Sequence, residues 1–470
     1  MQVVILSLAD WLFMAFVIIT LGCLATRRDA LLPTAVGLVV VGAVLSHSFI
    51  GGLMVAFNAI MASTTDLLNI IIVIALIVMM TKTMEDMGSD RLMVVPIRGL
   101  LGNAYISYWV IGFAMLILSW FIWPTPAAPL LGALVVPLAI VSGLPPMIAA
   151  MAVSIFGKGV GLSSDFIIQG SPAVTAKLTN IPINEIISSS IPVWGAISIT
   201  AVLVSYFIAF RTIKASKKDG GPVSMKGSTI SLEDMQIKAA ATSTVNASPI
   251  GRVMAWVIPI ALLTDIYYMG ALGLRGGKAT ALIGGTVLMI TMVSCIFQYK
   301  DQAFSKAMDH ARAGWMFAVK VFGPVVIIAG FFWLGGDSIK TILGDKSATG
   351  LMFHWGYWIA EHVPINKFMV SLVVTISSML GAFDGSGYAA IPLGASIAMA
   401  LGKPIGANVS VLAVQAQMAA IWTGATLVPW GFLAVAAAIC GVDPKDLARR
   451  NLWPTLIGLA VGVIVTAFLA

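Results

Sequence analysis

Two groups of polar residues stand inside otherwise apolar stretches. The run GKGVGLSSDFIIQGSP carries Lys158, Ser163, Ser164, Asp165, Gln169 and Ser171. Far along the chain, GAFDGSG holds Asp384 and Ser386, and the apolar run after it holds Gln415, Gln417, Thr423 and Thr426. A titratable side chain in hydrocarbon surroundings is costly, so it is read first as functional. These residue types suit an anion: Lys158 supplies a full counter-charge, Ser, Thr and Gln complete the hydrogen bonds, and free N–H groups at interrupted helices add positive partial charge. Asp165 and Asp384, with exposed carbonyls near Gly385 and Gly424, suit a coupling Na+ or a carried proton. A competing structural reading has Lys158 and Asp165, two turns apart on one helix, neutralising each other.

Such residues need a membrane around them, and composition supplies it. Hydrophobic residues make up 59% of the chain and charged ones 10%, a balance that leaves too little polar surface for a water-soluble domain. Apolar runs of about 18 residues or more recur, each long enough to span the hydrocarbon as a helix. Strict alternation, the mark of an outer-membrane barrel, is missing. No basic residue precedes the first run while Arg27 and Arg28 follow it, so it reads as a retained spanning helix rather than a secretory leader. The net charge of +7 is scattered over loops, with no basic stripe for a nucleic acid. Cys23, Cys295 and Cys440 are isolated, and His47, His310, His354 and His362 have no metal-ligand spacing. No GxxxxGK[ST] loop is present, which disfavours ATP-driven transport, and no nucleophile and base stand at a spacing that would suit an enzyme. Lys177 reads as a snorkelling side chain, Asp66 as structural, and Trp109, Trp120, Trp123, Trp355 and Trp358 mostly as interfacial anchors.

The second half of the chain can be laid over the first. Spanning helices are expected near residues 11–25, 32–47 and 66–83, with an amphipathic piece before the third, and again near 253–268, 279–297 and 313–333. Each series is followed by a polar segment. Then comes an apolar pair with a helix-breaking tip, WPTPAAP with Thr125 in the first half (residues 104–142) and GAFDGSG in the second (residues 366–402). These read as re-entrant hairpins or as two ordinary spanning helices with a tight turn. Long runs at 146–187 and 404–441 are broken in the middle by GKGVGLSSDFIIQGSP and WTGATLVPWG, and closing helices follow near 192–210 and 454–470. Repeats thus cover residues 1–211 and 251–470, joined by a Ser-, Lys- and Gly-rich linker at 212–250 without a core of its own.

Basic residues favour hairpins over full crossings. With the linker inside, the cytoplasmic segments collect Arg27, Arg28, Lys82, Arg91, Lys214, Lys226, Arg252, Lys300 and Arg450, while Arg275, Lys278, Lys340, Lys346, Lys367 and Lys403 stay outside. Full crossings would move several basic clusters outward. The expected fold class is therefore an all-α polytopic membrane protein of two inverted-topology repeats, with about ten spanning helices and two re-entrant hairpins.

The tips WPTPAAP and GAFDGSG, the breaks GLSSD and WTGAT, and the segments LTNIPINEI and ICGVDPKDL make the chain resemble the ion transporter superfamily over nearly its whole length. That superfamily includes divalent anion/sodium symporters, tripartite-transporter large membrane subunits and gluconate and lactate permeases. The resemblance implies an elevator-type mechanism, a dimeric scaffold, and substrate and cation sites at the tips and breaks, including Thr125 and Ser386. The Ser-Asn-Thr signature of the divalent anion branch is absent at both tips and breaks. The expected function is a cation- or proton-coupled permease for a small organic anion, a carboxylate, in the inner cell membrane; the alternative is a sodium/proton antiporter using the same aspartates.

Overall fold

The computed structural model describes residues 5–25, 31–218, 231–241, 247–274, 277–336, 338–362, 364–382, 387–388, 390–429 and 431–470. Arg27, Arg28, Lys226, Arg275, Asp384, Gly385 and Ser386 lie outside them, as does Trp430 of the second break. The chain is an all-α polytopic membrane protein, with no strand among the described residues.

The first half runs through α1 (Leu8–Ala25), α2 (Leu31–Leu45), α3 (Phe49–Met87), α4 (Ser89–Arg98), α5 (Ala104–Ile122), α6 (Pro124–Leu134), α7 (Val136–Val141), α8 (Pro146–Ser154), α9 (Gly170–Thr179) and α10 (Ile183–Lys218). The second runs through α11 (Leu232–Ala241), α12 (Pro249–Ala271), α13 (Gly277–Tyr299), α14 (Ala303–Trp333), α15 (Ile339–Leu343), α16 (Leu351–His362), α17 (Lys367–Gly381), α18 (Ala390–Gly402), α19 (Val409–Thr426), α20 (Phe432–Cys440) and α21 (Pro444–Leu469). Among the described residues, six segments are long and apolar enough to cross a membrane unaided, among them Ala104–Ile122, Pro249–Ala271 and Pro444–Leu469. Shorter apolar helices, including Leu31–Leu45 and Lys367–Gly381, accompany them.

Side-chain caps start several of these helices. Asn103 accepts from the amides of Tyr105 and Ile106 at the head of α5, and Asn366 accepts from Met369 at the head of α17. Each such cap satisfies N–H groups that the first helical turn leaves over. α5 packs along α6, and α17 along α18, so each apolar pair folds back on itself. α3 packs along α14, and α10 along α21.

Several boundaries differ from the sequence expectation. The amphipathic piece and third helix of the first half are one 39-residue helix, α3, and their counterparts are one 31-residue helix, α14. No Gly or Pro stands at the first expected junction, and Gly314 at the second does not end α14: it lies against the Ala75 carbonyl, where α14 approaches α3 closely. At 39 residues α3 is roughly 58 Å long, more than a hydrocarbon layer needs, and its polar end continues beyond it. The closing helices begin earlier than expected, because Pro192 lies inside α10 and Pro454 inside α21. The true stops are Asn180 and Gly441, each in the left-handed conformation that ends a helix. The linker is not wholly without structure: α10 carries on to Lys218, and α11 docks on α7 with Met235 fully buried.

The centre of the molecule is made by α8, the segment after it, α18 and α19. Every residue of α18 is buried, and so are Ser410 through Thr426 of α19. A helix that is apolar on all sides has no lipid or water face to present, so it sits inside. α12 and α13 do the opposite, exposing Trp256, Leu263, Met289 and Phe297 to the surrounding lipid.

Candidate functional site

The first break is built by backbone strain at two places. α8 passes into a π-helical stretch, Ile155–Leu162, whose eight residues are all buried, Lys158 among them. π-Helical turns recur at functional sites because they displace side chains from the ordinary helical register. Ser163 and Ser164 complete the helix, and then Asp165 and Gln169 take φ values of 42° and 64°. A non-glycine residue in that region costs roughly 1–3 kcal/mol, so two of them within one turn mark a segment held open by its surroundings.

Asp165 is what holds it. Its Oδ2 accepts from the Ser171 amide at 2.9 Å and from the Tyr388 hydroxyl at 3.2 Å, so one oxygen caps α9 and anchors the second hairpin. The carboxylate is turned to these groups rather than to Lys158, and the mutual neutralisation of that pair is not found. The Ser171 hydroxyl donates to the Leu162 carbonyl, and Gln417 of α19 donates to the Ser163 carbonyl at 2.9 Å while accepting from Thr175 at 2.7 Å. Trp120 of α5 donates to Ser164 at 2.9 Å. Gln169 donates to the Phe166 carbonyl within its own turn.

The second break lies between Thr426 and Phe432, after the WTGAT motif. Ahead of it, α19 packs against the π-helical stretch of the first. A Cβ on Gly159 would lie 2.9 Å from Cζ3 of Trp422, so glycine is required for the two segments to approach this closely. Gly387 sits against the Ala420 carbonyl with φ 77°, which brings the second tip onto α19. The first tip joins them through rings: Trp123 lies 5.6 Å from Tyr388, and Phe322 lies 5.7 Å from Tyr388. The two tips and the two broken runs therefore share one buried neighbourhood.

Not every residue singled out by sequence faces it. Gln415 turns to Thr375 at 2.9 Å and to Thr466, and Thr426 turns to Thr455 at 2.6 Å, so both tie α19 to its neighbours. Thr125 is half-buried in the first turn of α6, where Pro124 and Pro126 have no N–H to offer a ligand. The N-terminus of α9 is already capped by Asp165. Among the described residues, Nε1 of Trp422 and the hydroxyl of Thr423 are buried without a hydrogen-bond partner, as are the hydroxyls of Ser378 on α17 and Ser396 on α18. Gly424 is buried in the same turn. Among the described residues no group of His, Cys, Asp and Glu is arranged to hold a metal ion.

Sequence reasoning passed over Tyr388 and Trp422. The signal was present in both, an aromatic residue with a polar handle beside a glycine-rich break. Trp120, Trp123 and Trp355, read as interfacial, have internal partners instead: Ser164, Tyr388 and the Asp10 carbonyl. Away from the break, Lys177 and Asp66 form an ion pair at 3.3 Å, with Trp333 donating to Asp66 at 2.9 Å. They line an open cavity of about 400 Å³ between α9, α3 and α13.

No family model matches the chain. The uncharacterized membrane protein YhfA of Bacillus subtilis is 33% identical over 447 residues, covering 94% of both proteins. Among solved structures, that of Neisseria gonorrhoeae MtrF, presented as illuminating a class of antimetabolite efflux pumps, aligns with a TM-score of 0.48 at 14% identity, over 99% of this chain and 95% of that one.

Proposed function

The chain belongs to the family of the membrane protein YhfA of Bacillus subtilis, and from that premise we propose that it is a secondary active transporter for a small organic anion, a carboxylate. The observation that carries this reading is the character of the groups where α19 meets the first break: an unpaired Trp422 N–H and an unpaired Thr423 hydroxyl, with Lys158 buried in the π-helical stretch beside them. An indole N–H can only donate, and a buried donor without a partner costs about 1–3 kcal/mol. A carboxylate would accept from both donors, next to a helix stretch that carries a buried cationic side chain; a bare cation would accept from neither. This favours anion uptake over sodium/proton exchange.

The wider reading is that of the ion transporter superfamily: inverted-topology repeats in the inner cell membrane, a homodimer, and an elevator in which tips and broken helices move against α3, α13 and α14. The packing of α3 on α14 and of α10 on α21, each helix against its counterpart from the other half, supports a two-repeat origin. Coupling is to Na+ or H+. Asp384 is the candidate carrier with Gly385 and Ser386 beside it, since Asp165 is engaged as a cap.

Thermal unfolding of purified protein with lactate, gluconate, succinate and citrate is the first test. A ligand that binds only the folded state raises the midpoint, and Lys158→Ala should abolish that rise and the matching uptake into proteoliposomes while the folded yield is kept. Sodium efflux driven by a pH gradient with no organic solute present would overturn the anion reading.

A further inference from the structure

A groove of about 660 Å³ runs along the membrane-facing surface between α4, α5 and α12. Its walls are almost wholly apolar: Met93 from α4, Ile117 and Phe121 from α5, and Trp256, Pro259 and Leu263 from α12. Ile117, Trp256 and Leu263 are 51%, 70% and 58% exposed, so the groove opens sideways to the bilayer rather than to the buried breaks. Among the described residues that line it one is charged, Arg252 in the first turn of α12.

The polar end of the groove is fixed by the chain itself. The amide of Ser248 donates to the Met87 carbonyl at 3.1 Å, and Gly251 lies against that same carbonyl where any side chain would collide. The start of α12 is thereby locked to the turn at Gly88 that separates α3 from α4. Arg252 follows directly, beside the first turn of α4, and its side chain is exposed. Among the described residues no carboxylate forms an ion pair with it. Asp90 of α4 is buried and is not part of the lining. Trp256, one turn further in, is placed where an aromatic ring with an N–H suits the interface between headgroups and acyl chains.

We propose that this groove is a binding site for an anionic phospholipid, with an acyl chain along α5 and α12 and the headgroup phosphate on Arg252. A cation at the mouth of an apolar channel is complementary to that one class of molecule. A guanidinium can bind a phosphate through two parallel hydrogen bonds, and the channel removes a chain from contact with nothing but other lipid. The site does not depend on what the protein transports.

Native mass spectrometry of the delipidated, detergent-purified protein tests it, with phosphatidylglycerol and phosphatidylcholine of identical acyl chains as probes. Retention of phosphatidylglycerol should exceed that of phosphatidylcholine by about tenfold. Arg252→Gln should bring the two to the same level and Arg252→Lys should restore part of the difference. Ile117→Trp, a change at a lipid-facing position that fills the channel, should reduce both, and it carries the test alone if Arg252→Gln does not fold. Equal retention of the two lipids by the wild type would overturn the proposal, as would Arg252→Gln or Ile117→Trp without effect. Displacement of phosphatidylglycerol by inorganic phosphate at similar concentration would reassign Arg252 to a free anion and overturn the acyl-chain site.

Discussion

Asp165 serves two partners with one oxygen, the Ser171 amide and the Tyr388 hydroxyl. Its removal therefore orphans two groups in a place water does not reach. At about 1–3 kcal/mol for each, Asp165→Ala should lower the thermal midpoint in detergent by several degrees. Asp165→Asn should retain most of the stability, because asparagine caps a helix as well as aspartate does. An unchanged midpoint in Asp165→Ala would remove the capping role. The same two variants separate capping from cation coupling, since asparagine cannot carry the charge. Sodium or pH dependence of uptake that survives Asp165→Asn assigns coupling to another group. The sequence placed Asp165 at a helix break and made it a residue of interest. It could not show that the carboxylate reaches Tyr388, more than 200 positions away in the chain, because that contact depends on how the two hairpins pack. Gln415 and Gln417 make the same point: identical residues two positions apart on α19 point to different neighbours, one to α17 and α21, the other to the first break.

Among the elements, α16 is tied to α1 through a single turn. Asp10 Oδ1 lies 2.8 Å from His354 Nδ1, and the indole of Trp355 donates to the Asp10 carbonyl at 2.8 Å. The hydrogen bond that His354 donates to the Asp10 carboxylate raises the imidazole above its ordinary value of 6.5, against a smaller opposing effect of burial. A histidine raised in the folded state contributes stability that is fully present below its unfolded value and is lost as pH rises through the folded one. The thermal midpoint should therefore fall as pH increases from just above 6.5, reflecting a loss of stability on the order of 1 kcal/mol because His354 is part-exposed. His354→Gln should flatten that slope, and equal slopes in the two proteins would sink the tether. Element type was legible throughout, since long apolar runs in lipid can only be helices once strand alternation is missing. Element ends were less so. Pro192 and Pro454 were read as helix starts, whereas each lies inside a spanning helix that tolerates it; the preceding helices α9 and α20 end at Asn180 and Gly441, where the backbone turns left-handed. The π-helical register around Lys158 left no sequence mark beyond its alternating glycines.

For the whole molecule, the elevator reading makes a geometric demand. Helix α9 would travel with the breaks, α3 would stay with the scaffold, and the Lys177 to Asp66 contact across the cavity joins the two. Lys177 is 55% exposed at the side chain and Asp66 is 28%, so the pair adds little to stability and can open without great cost. A covalent link in its place would not open. In a background with Cys23, Cys295 and Cys440 replaced by alanine, Lys177→Cys with Asp66→Cys should remain active when reduced. Uptake should be lost when the two thiols are joined by a short bifunctional thiol reagent and should return on reductive cleavage. Single-cysteine controls treated in the same way should be unaffected. Undiminished uptake by the linked protein would mean that α9 and α3 do not move apart during transport. Alternating access would then have to come from motions within the tips, with Trp123, Phe322 and Tyr388 as the cluster that parts.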